Sequence, residues 1–247
     1  MKKILAPLLV LLVAIPCLSQ PQSQFNKYKI EWSTVAKQIR EVGYITDVFG
    51  KDDEGFYTLS SWSSRNYNPR LSNTGRVPSI RVDYYANNLI SVNSKKVDFK
   101  AMDEKRNLES FFQMRDGRFY MFTSYLNRDR ENVLEAQLMR PQTLQFSSNQ
   151  KEIHRLSFEG YAKNNSGTYG FNMSPDSTKL LVFYNLPYER SAEEKFGFKV
   201  YDQFLKPIWE KEITLPYTDE LFKLRQLRLD NAGNLYVIGK VFRGRVR

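Results

Sequence analysis

Four short turns that carry aspartate recur along this chain at nearly even intervals, and each is followed by a strand-like apolar run. They are residues 50–55 (GKDDEG), Arg115-Asp116-Gly117, Ser174-Pro175-Asp176-Ser177 and Asp230-Asn231-Ala232-Gly233. Asp, Asn and Gly tolerate the left-handed backbone that tight hairpin loops demand, so each turn joins two antiparallel strands. Aligning the return strands puts Phe56, Phe119, Leu180 and Leu235 in one register with a near-constant period.

A second register runs between the hairpins. Residues 80–89, 135–144 and 196–205 each read as an alternating strand, a short polar turn and then a leucine. Those leucines, Leu89, Leu144 and Leu205, keep the same period as the turns, and a further strand candidate follows each. Every unit therefore offers about four strands in a meander. Four-stranded units at such a period are blades of a β-propeller, which must stack to hide both faces of each sheet. The high aromatic content, 15 Tyr and 17 Phe, suits such short strands. The competing reading is a β-sandwich whose hairpins resemble one another incidentally.

The expected fold is thus all-β, with about three and a half four-stranded antiparallel blades over residues 43–247. The units run 43–105, 106–164, 165–220 and an incomplete 221–247. A chain with half a blade at its end is expected to be the N-terminal part of a larger propeller, or to close by self-association. Residues 20–42 form a lead-in, with a strand candidate at 28–32 and helical spacing at Val35, Ile39 and Val42.

The run from Phe171 through Ser174-Pro175-Asp176-Ser177 to Phe183 resembles the Ser-Pro-Asp-Gly hairpin of TolB-like propeller repeats. Ser177 stands where that pattern has Gly. The resemblance is close over this hairpin and reaches the other units only through their Asp/Gly turns and return strands. It implies a scaffold of the bacterial envelope used for protein contacts, with no shared catalytic residue. The same turn begins like the Asp-box of sialidase propellers, but Thr178 occupies the required Gly and no Trp follows.

Residues 1–19 read as a secretory signal: Lys2 and Lys3, an uncharged apolar run over 4–15, then Cys17-Leu18-Ser19 before the cut. The run is shorter than the ~20 residues that span a bilayer, and Pro16 precedes Cys17 where a lipoprotein site wants a small residue. Cleavage removes the only cysteine, so the mature chain has no disulfide and no thiolate ligand. Net charge falls from +10 to +8 with Lys2 and Lys3 gone. Export argues against nucleic acid as the partner of this basic chain, and for a protein or an anionic envelope polymer in the periplasm, outer envelope or extracellular space.

Few residues carry chemistry. His154 is the only histidine, so a histidine-rich metal site is excluded and no Gly-x-Ser-x-Gly accompanies it. It reads as a surface or edge residue on an outer strand. Asp52-Asp53-Glu54 falls in a hairpin turn, and Glu193-Glu194 in a charged stretch that reads as solvated. No catalytic, cofactor or metal residue is assigned. Tyr84, Tyr85, Tyr125 and Tyr184 lie near strand ends and read as packing between blades. The long polar loop over 63–78, with Arg65, Tyr67, Arg70 and Arg76, is the expected contact surface. Two functions remain from these residues: a non-catalytic binding platform, with no cofactor, or a carbohydrate-active propeller working through carboxylates.

Overall fold

The computed structural model describes residues 44–61, 80–97, 106–157, 168–186 and 191–244. All belong to one unit, Val35–Arg247. The contact loop with Arg65, Tyr67, Arg70 and Arg76 falls outside the described residues, as do the signal segment and the strand candidate at 28–32. Among the described residues no helix is long and apolar enough to cross a membrane.

The fold is all-β. β1 (Tyr44–Lys51), β2 (Gly55–Ser61), β3 (Ile80–Ala86) and β4 (Ser91–Val97) form the first four-stranded meander. β5 (Asn107–Gln113), β6 (Phe119–Leu126), β7 (Glu131–Arg140) and β8 (Gln145–Ser157) form the second. β9 (Thr168–Met173), β10 (Lys179–Asn185), β11 (Glu193–Asp202) and β12 (Pro207–Thr218) form the third. β13 (Phe222–Leu229) and β14 (Leu235–Val241) pair as a two-stranded sheet. The first strands lie side by side in sequence order, β1 beside β5, β5 beside β9 and β9 beside β13, so the sheets are propeller blades with these strands innermost.

The repeat register is a register of pairing. Phe56 faces Lys51, Phe119 faces Gln113, Leu180 faces Met173 and Leu235 faces Leu229, each at the first rung after the turn. Period-2 alternation then sends one set of side chains to each neighbouring blade. Tyr57, Leu59 and Val82 of the first blade meet Phe111, Phe119 and Met121 of the second. Phe122 and Leu134 of the second meet Leu180 and Val182 of the third. Leu181, Phe198 and Val200 of the third meet Leu227 and Leu229 of the last. Both faces of a central blade are apolar because both are covered.

The three leucines of the second register share an unusual backbone. Leu89, Leu144 and Leu205 all have positive φ, at 65°, 54° and 57°. A left-handed leucine costs roughly 1–2 kcal/mol of local strain, and burial offsets it. Leu144, fully buried, packs into the seam between the first and second blades. Leu205, also buried, packs into the seam between the second and third. Each reaches back toward the preceding blade. Leu89, on the first blade, stays partly exposed.

Polar staples cross the same seams. The Arg115 amide donates to Ser177 O at 3.0 Å, and the Asp176 amide to Asn231 Oδ1 at 3.0 Å, linking turn to turn. The Tyr201 hydroxyl donates to Ile153 O at 2.7 Å, and the Leu229 amide to Asn172 Oδ1 at 2.9 Å. Within the turns, Asp52 accepts from the hydroxyls of Tyr57 and Tyr84, and Asp230 from the Asn234 amide. Asp176 accepts from Ser174 Oγ and the Thr178 amide, which holds its carboxyl down at about 2. These aspartates hold loops; they are not a site.

Ser177 adopts φ 57°, the left-handed region that Gly117 and Gly233 supply at the equivalent turns. Ser177→Gly is expected to raise unfolding stability by about 0.5–1 kcal/mol, the relief of left-handed strain less the added freedom of the unfolded glycine. Leu205→Ala is expected to cost about 2–5 kcal/mol, and Leu89→Ala far less. Urea denaturation of the three variants checks the pattern; equal losses at Leu89 and Leu205 would contradict the seam assignment.

Candidate functional site: carboxylates at the blade ends

One end of each blade is occupied by its aspartate turn. The ionisable groups that are neither turn caps nor fully solvated gather toward the opposite end, where innermost strands begin and third strands start. Asp83, almost fully buried, accepts from Ser60 Oγ at 3.1 Å and pairs with Arg81 at 2.7 Å. Arg106, just before β5, is buried with its guanidinium on Glu135, 4.4 Å over the Tyr125 ring and 3.4 Å from Thr123 Oγ1. Planar stacking and carboxylate pairing are both satisfied by arginine, which suits it to this buried position.

Three innermost strands share an irregularity. β1 slips register between Ile45 and Asp47, β5 between Leu108 and Ser110, and β13 between Leu224 and Gln226. In each case the extra residue lies at the same rung, opposite the third and fourth positions after the return-strand start. The extra residues are Thr46, Glu109 and Arg225. A bulge re-aims its side chain out of the pleat and recurs next to active sites. Glu109, half-buried, accepts from Ser124 Oγ of β6.

A second carboxylate is set apart on the third blade. Glu194, at the start of β11, is half-buried and shares a hydrogen bond with Asp219, the residue after β12. The Asp219 amide donates to Ala192 O at 3.2 Å, which fixes the connection beside β11. Burial pushes the Glu194 carboxyl up to about 8, and the hydrogen bond and negative charge of Asp219 add to the shift. Two carboxylates in contact cannot both ionise cheaply, so the pair holds one proton at neutral pH. Glu194 is the member of the pair whose carboxyl is raised.

This corrects the reading of Glu193-Glu194 as a solvated charged stretch: Glu193 is exposed, but Glu194 is drawn in beside Asp219. Strand alternation separates the two, a distinction invisible until the strand's phase is known. His154 does lie on an outer strand, β8, but it is half-buried in a seam, stacked on Tyr184 with ring centroids 4.0 Å apart. Tyr84 and Tyr184 are buried in seams, Tyr85 stacks on Phe56, and Tyr125 carries Arg106.

No protein-family model matches the chain, and no curated protein matches it. Among solved structures it is similar to an endo-arabinase from Bacteroides thetaiotaomicron VPI-5482. That likeness has 13% identity over 83% of this chain and 73% of the other, with a TM-score of 0.47. It is also similar to a thermostable family-43 glycoside hydrolase, at 13% identity over 68% of this chain and 52% of that one, with a TM-score of 0.37. The likeness is one of blade architecture alone. The neighbours are named as an endo-arabinase and a family-43 glycoside hydrolase and neither as TolB-like, so the TolB-like expectation drawn from residues 171–183 is withdrawn. The physical reason is that Ser174-Pro175-Asp176 performs turn capping, which Asp52 and Asp230 achieve with other neighbours, so the motif does not discriminate among propellers. The expectation of a non-catalytic platform is corrected likewise, the solved structures the chain is similar to being named as an endo-arabinase and a glycoside hydrolase.

The raised Glu194 carboxyl ties stability to pH. Its folded pKa lies above the ordinary carboxylate value of 4.5, so the folded state binds the extra proton between pH 4.5 and 8. The pair's contribution is fully present below that window and is lost as pH rises through about 8. Glu194→Gln is therefore expected to flatten the decline in unfolding midpoint between pH 4.5 and about 8, measured by thermal denaturation.

Proposed function

We propose that this chain supplies blades of a carbohydrate-active β-propeller that cleaves glycosidic bonds, with Glu194 as the proton donor. The observation that carries this reading is the half-buried Glu194–Asp219 pair, in which a carboxylic acid stays protonated at neutral pH. Glycoside hydrolysis needs such an acid for the leaving oxygen, together with an ionised carboxylate that activates water or attacks the sugar. Glu109 fills the second role. It is carried by a bulge on the innermost strand of the adjacent blade, at the same end as Glu194.

Asp219 keeps the proton on Glu194 and shares the charge left after donation. Arg106 neutralises Glu135, while the neighbouring Glu109 is oriented by Ser124 Oγ. The substrate class is a polysaccharide met outside the cytoplasm, consistent with the export signal read over residues 1–19 and with a basic chain meeting anionic polymers.

The test is release of reducing ends from a panel of neutral and acidic polysaccharides, arabinan among them, by the purified full chain. Wild-type turnover should fall as pH rises through about 8, and Glu194→Gln should lower kcat by about 10²–10⁴-fold. Glu109→Gln should lower kcat comparably while far-ultraviolet circular dichroism stays unchanged. Wild-type protein inert on every polymer, or a Glu194→Gln variant of undiminished turnover, would overturn the assignment.

A further inference from the structure

The seam between the second and third blades contains the chain's only histidine, and its surroundings form a set that the proposed chemistry does not use. His154 of β8 lies against Tyr184 of β10 in a stack, and edge-on to Tyr169 of β9 with centroids 5.8 Å apart. Gly197 of β11 makes the stack possible: a Cβ there would sit 2.0 Å from Tyr184 Cζ, so the tyrosine ring rests directly on backbone. The Tyr184 hydroxyl in turn donates to Glu212 Oε1 at 3.0 Å.

The hydrogen bonds assign the tautomer. The Tyr169 hydroxyl donates to Asn132 O at 2.7 Å, so its proton is committed. Tyr169 Oη then accepts from His154 Nδ1 at 3.4 Å. Nδ1 carries the imidazole proton, and Nε2 is the nitrogen that takes up a second.

The charged groups facing the ring come from three strands. Lys199 of β11 opposes a second proton. Glu210 of β12, paired with Lys199 at 2.9 Å, and Glu152 of β8 itself favour it, but each is already neutralised, Glu152 by Arg155 at 2.7 Å. An imidazolium stacked on Tyr184 would gain a modest cation–π contact. Burial is the larger effect, and with Lys199 it holds the His154 ring at about 4, well below its ordinary 6.5.

We propose that this seam is an acid-sensitive latch, closed by neutral His154 packed between Tyr169 and Tyr184 and released when Nε2 takes a proton from solvent. By linkage, the unfolded or opened chain binds the proton near pH 6.5 and the closed seam only near 4, so the latch's contribution is present above pH 6.5 and is lost as pH falls toward 4. Because the seam positions β8 of the second blade against β9 and β10 of the third, its release separates the second blade, which carries Glu109, from the third, which carries Glu194.

A lone imidazole makes the test direct. In the full chain, the His154 ring carbon and proton resonances are followed by NMR as the solution is acidified from neutrality. A midpoint near 4 is expected in wild type, rising in Lys199→Met. In parallel, in a Glu194→Gln background that removes the opposing rise from the Glu194–Asp219 pair, the unfolding midpoint should fall as pH drops below 6.5, and adding His154→Phe should abolish that fall. Asp52, Asp176 and Asp230 should add their own losses only at lower pH. A wild-type midpoint at the ordinary 6.5, or a His154→Phe variant with an unchanged fall, overturns the latch. Should His154→Phe fail to fold, the NMR midpoints of wild type and Lys199→Met still decide it. Neither outcome depends on turnover of any glycan.

Discussion

A blade of four antiparallel strands exposes two apolar faces and can hide neither by itself, so seam packing is the interaction on which this structure depends. The two seams between full blades are built from the same parts. Alternating side chains of second and third strands interdigitate, a leucine from the outer turn reaches back into the preceding blade, and backbone or tyrosine hydroxyl bonds tie the edges. The left-handed leucines show how strongly the seam governs the local chain. A conformation that is unfavourable for leucine persists at Leu144 and Leu205 because the side chain is fully buried there. At Leu89, on the outer side of the first blade, the same conformation accompanies partial exposure. The turn geometry is therefore set by the hairpin, and the leucine exploits it where a preceding blade is described.

The repeat was legible because hairpin chemistry is local. Aspartate and glycine at the turns placed Phe56, Phe119, Leu180 and Leu235 in register, and each proves to occupy the first rung of its return strand. What escaped was long-range. Thr46, Glu109 and Arg225 are the extra residues of inner-strand bulges, and an extra residue cannot be located until its strand has a partner to slip against. Glu194 was hidden for a related reason. Adjacent glutamates look alike in sequence, and only the strand's phase and the return of the chain at Asp219 distinguish the half-buried one. His154 was legible as an outer-strand residue, whereas its burial depends on Tyr184, brought in from the next blade, and on the space left by Gly197. Ser174-Pro175-Asp176 was legible as a turn and misleading as a family mark, since capping chemistry is common to hairpins generally.

The two ends of the blades divide labour. At the turn end, carboxylates accept several amide and hydroxyl bonds, which stabilises their ionised form and commits them to the loop; Asp176 and Asp52 are of this kind. At the other end the third strands begin and the chain crosses to the next innermost strand. There carboxylates meet arginine, hydroxyls or one another. Such surroundings raise the Glu194 carboxyl of β11, while Glu109 of β5 meets a serine hydroxyl. In the proposed reaction, environment and not residue type separates the roles of the two carboxylates.

The proposed proton donation from the third blade depends on the protonation state of one side chain. Carbon-13 labelling of glutamate Cδ, with the Glu194 signal identified by its loss in Glu194→Gln, follows that carboxyl directly as pH is raised. Titration near 8 is predicted in the wild-type chain, with a shift downward, toward the ordinary carboxylate range, in Asp219→Asn. A Glu194 signal that titrates near 4.5 in the wild-type chain, unmoved by Asp219→Asn, would contradict it.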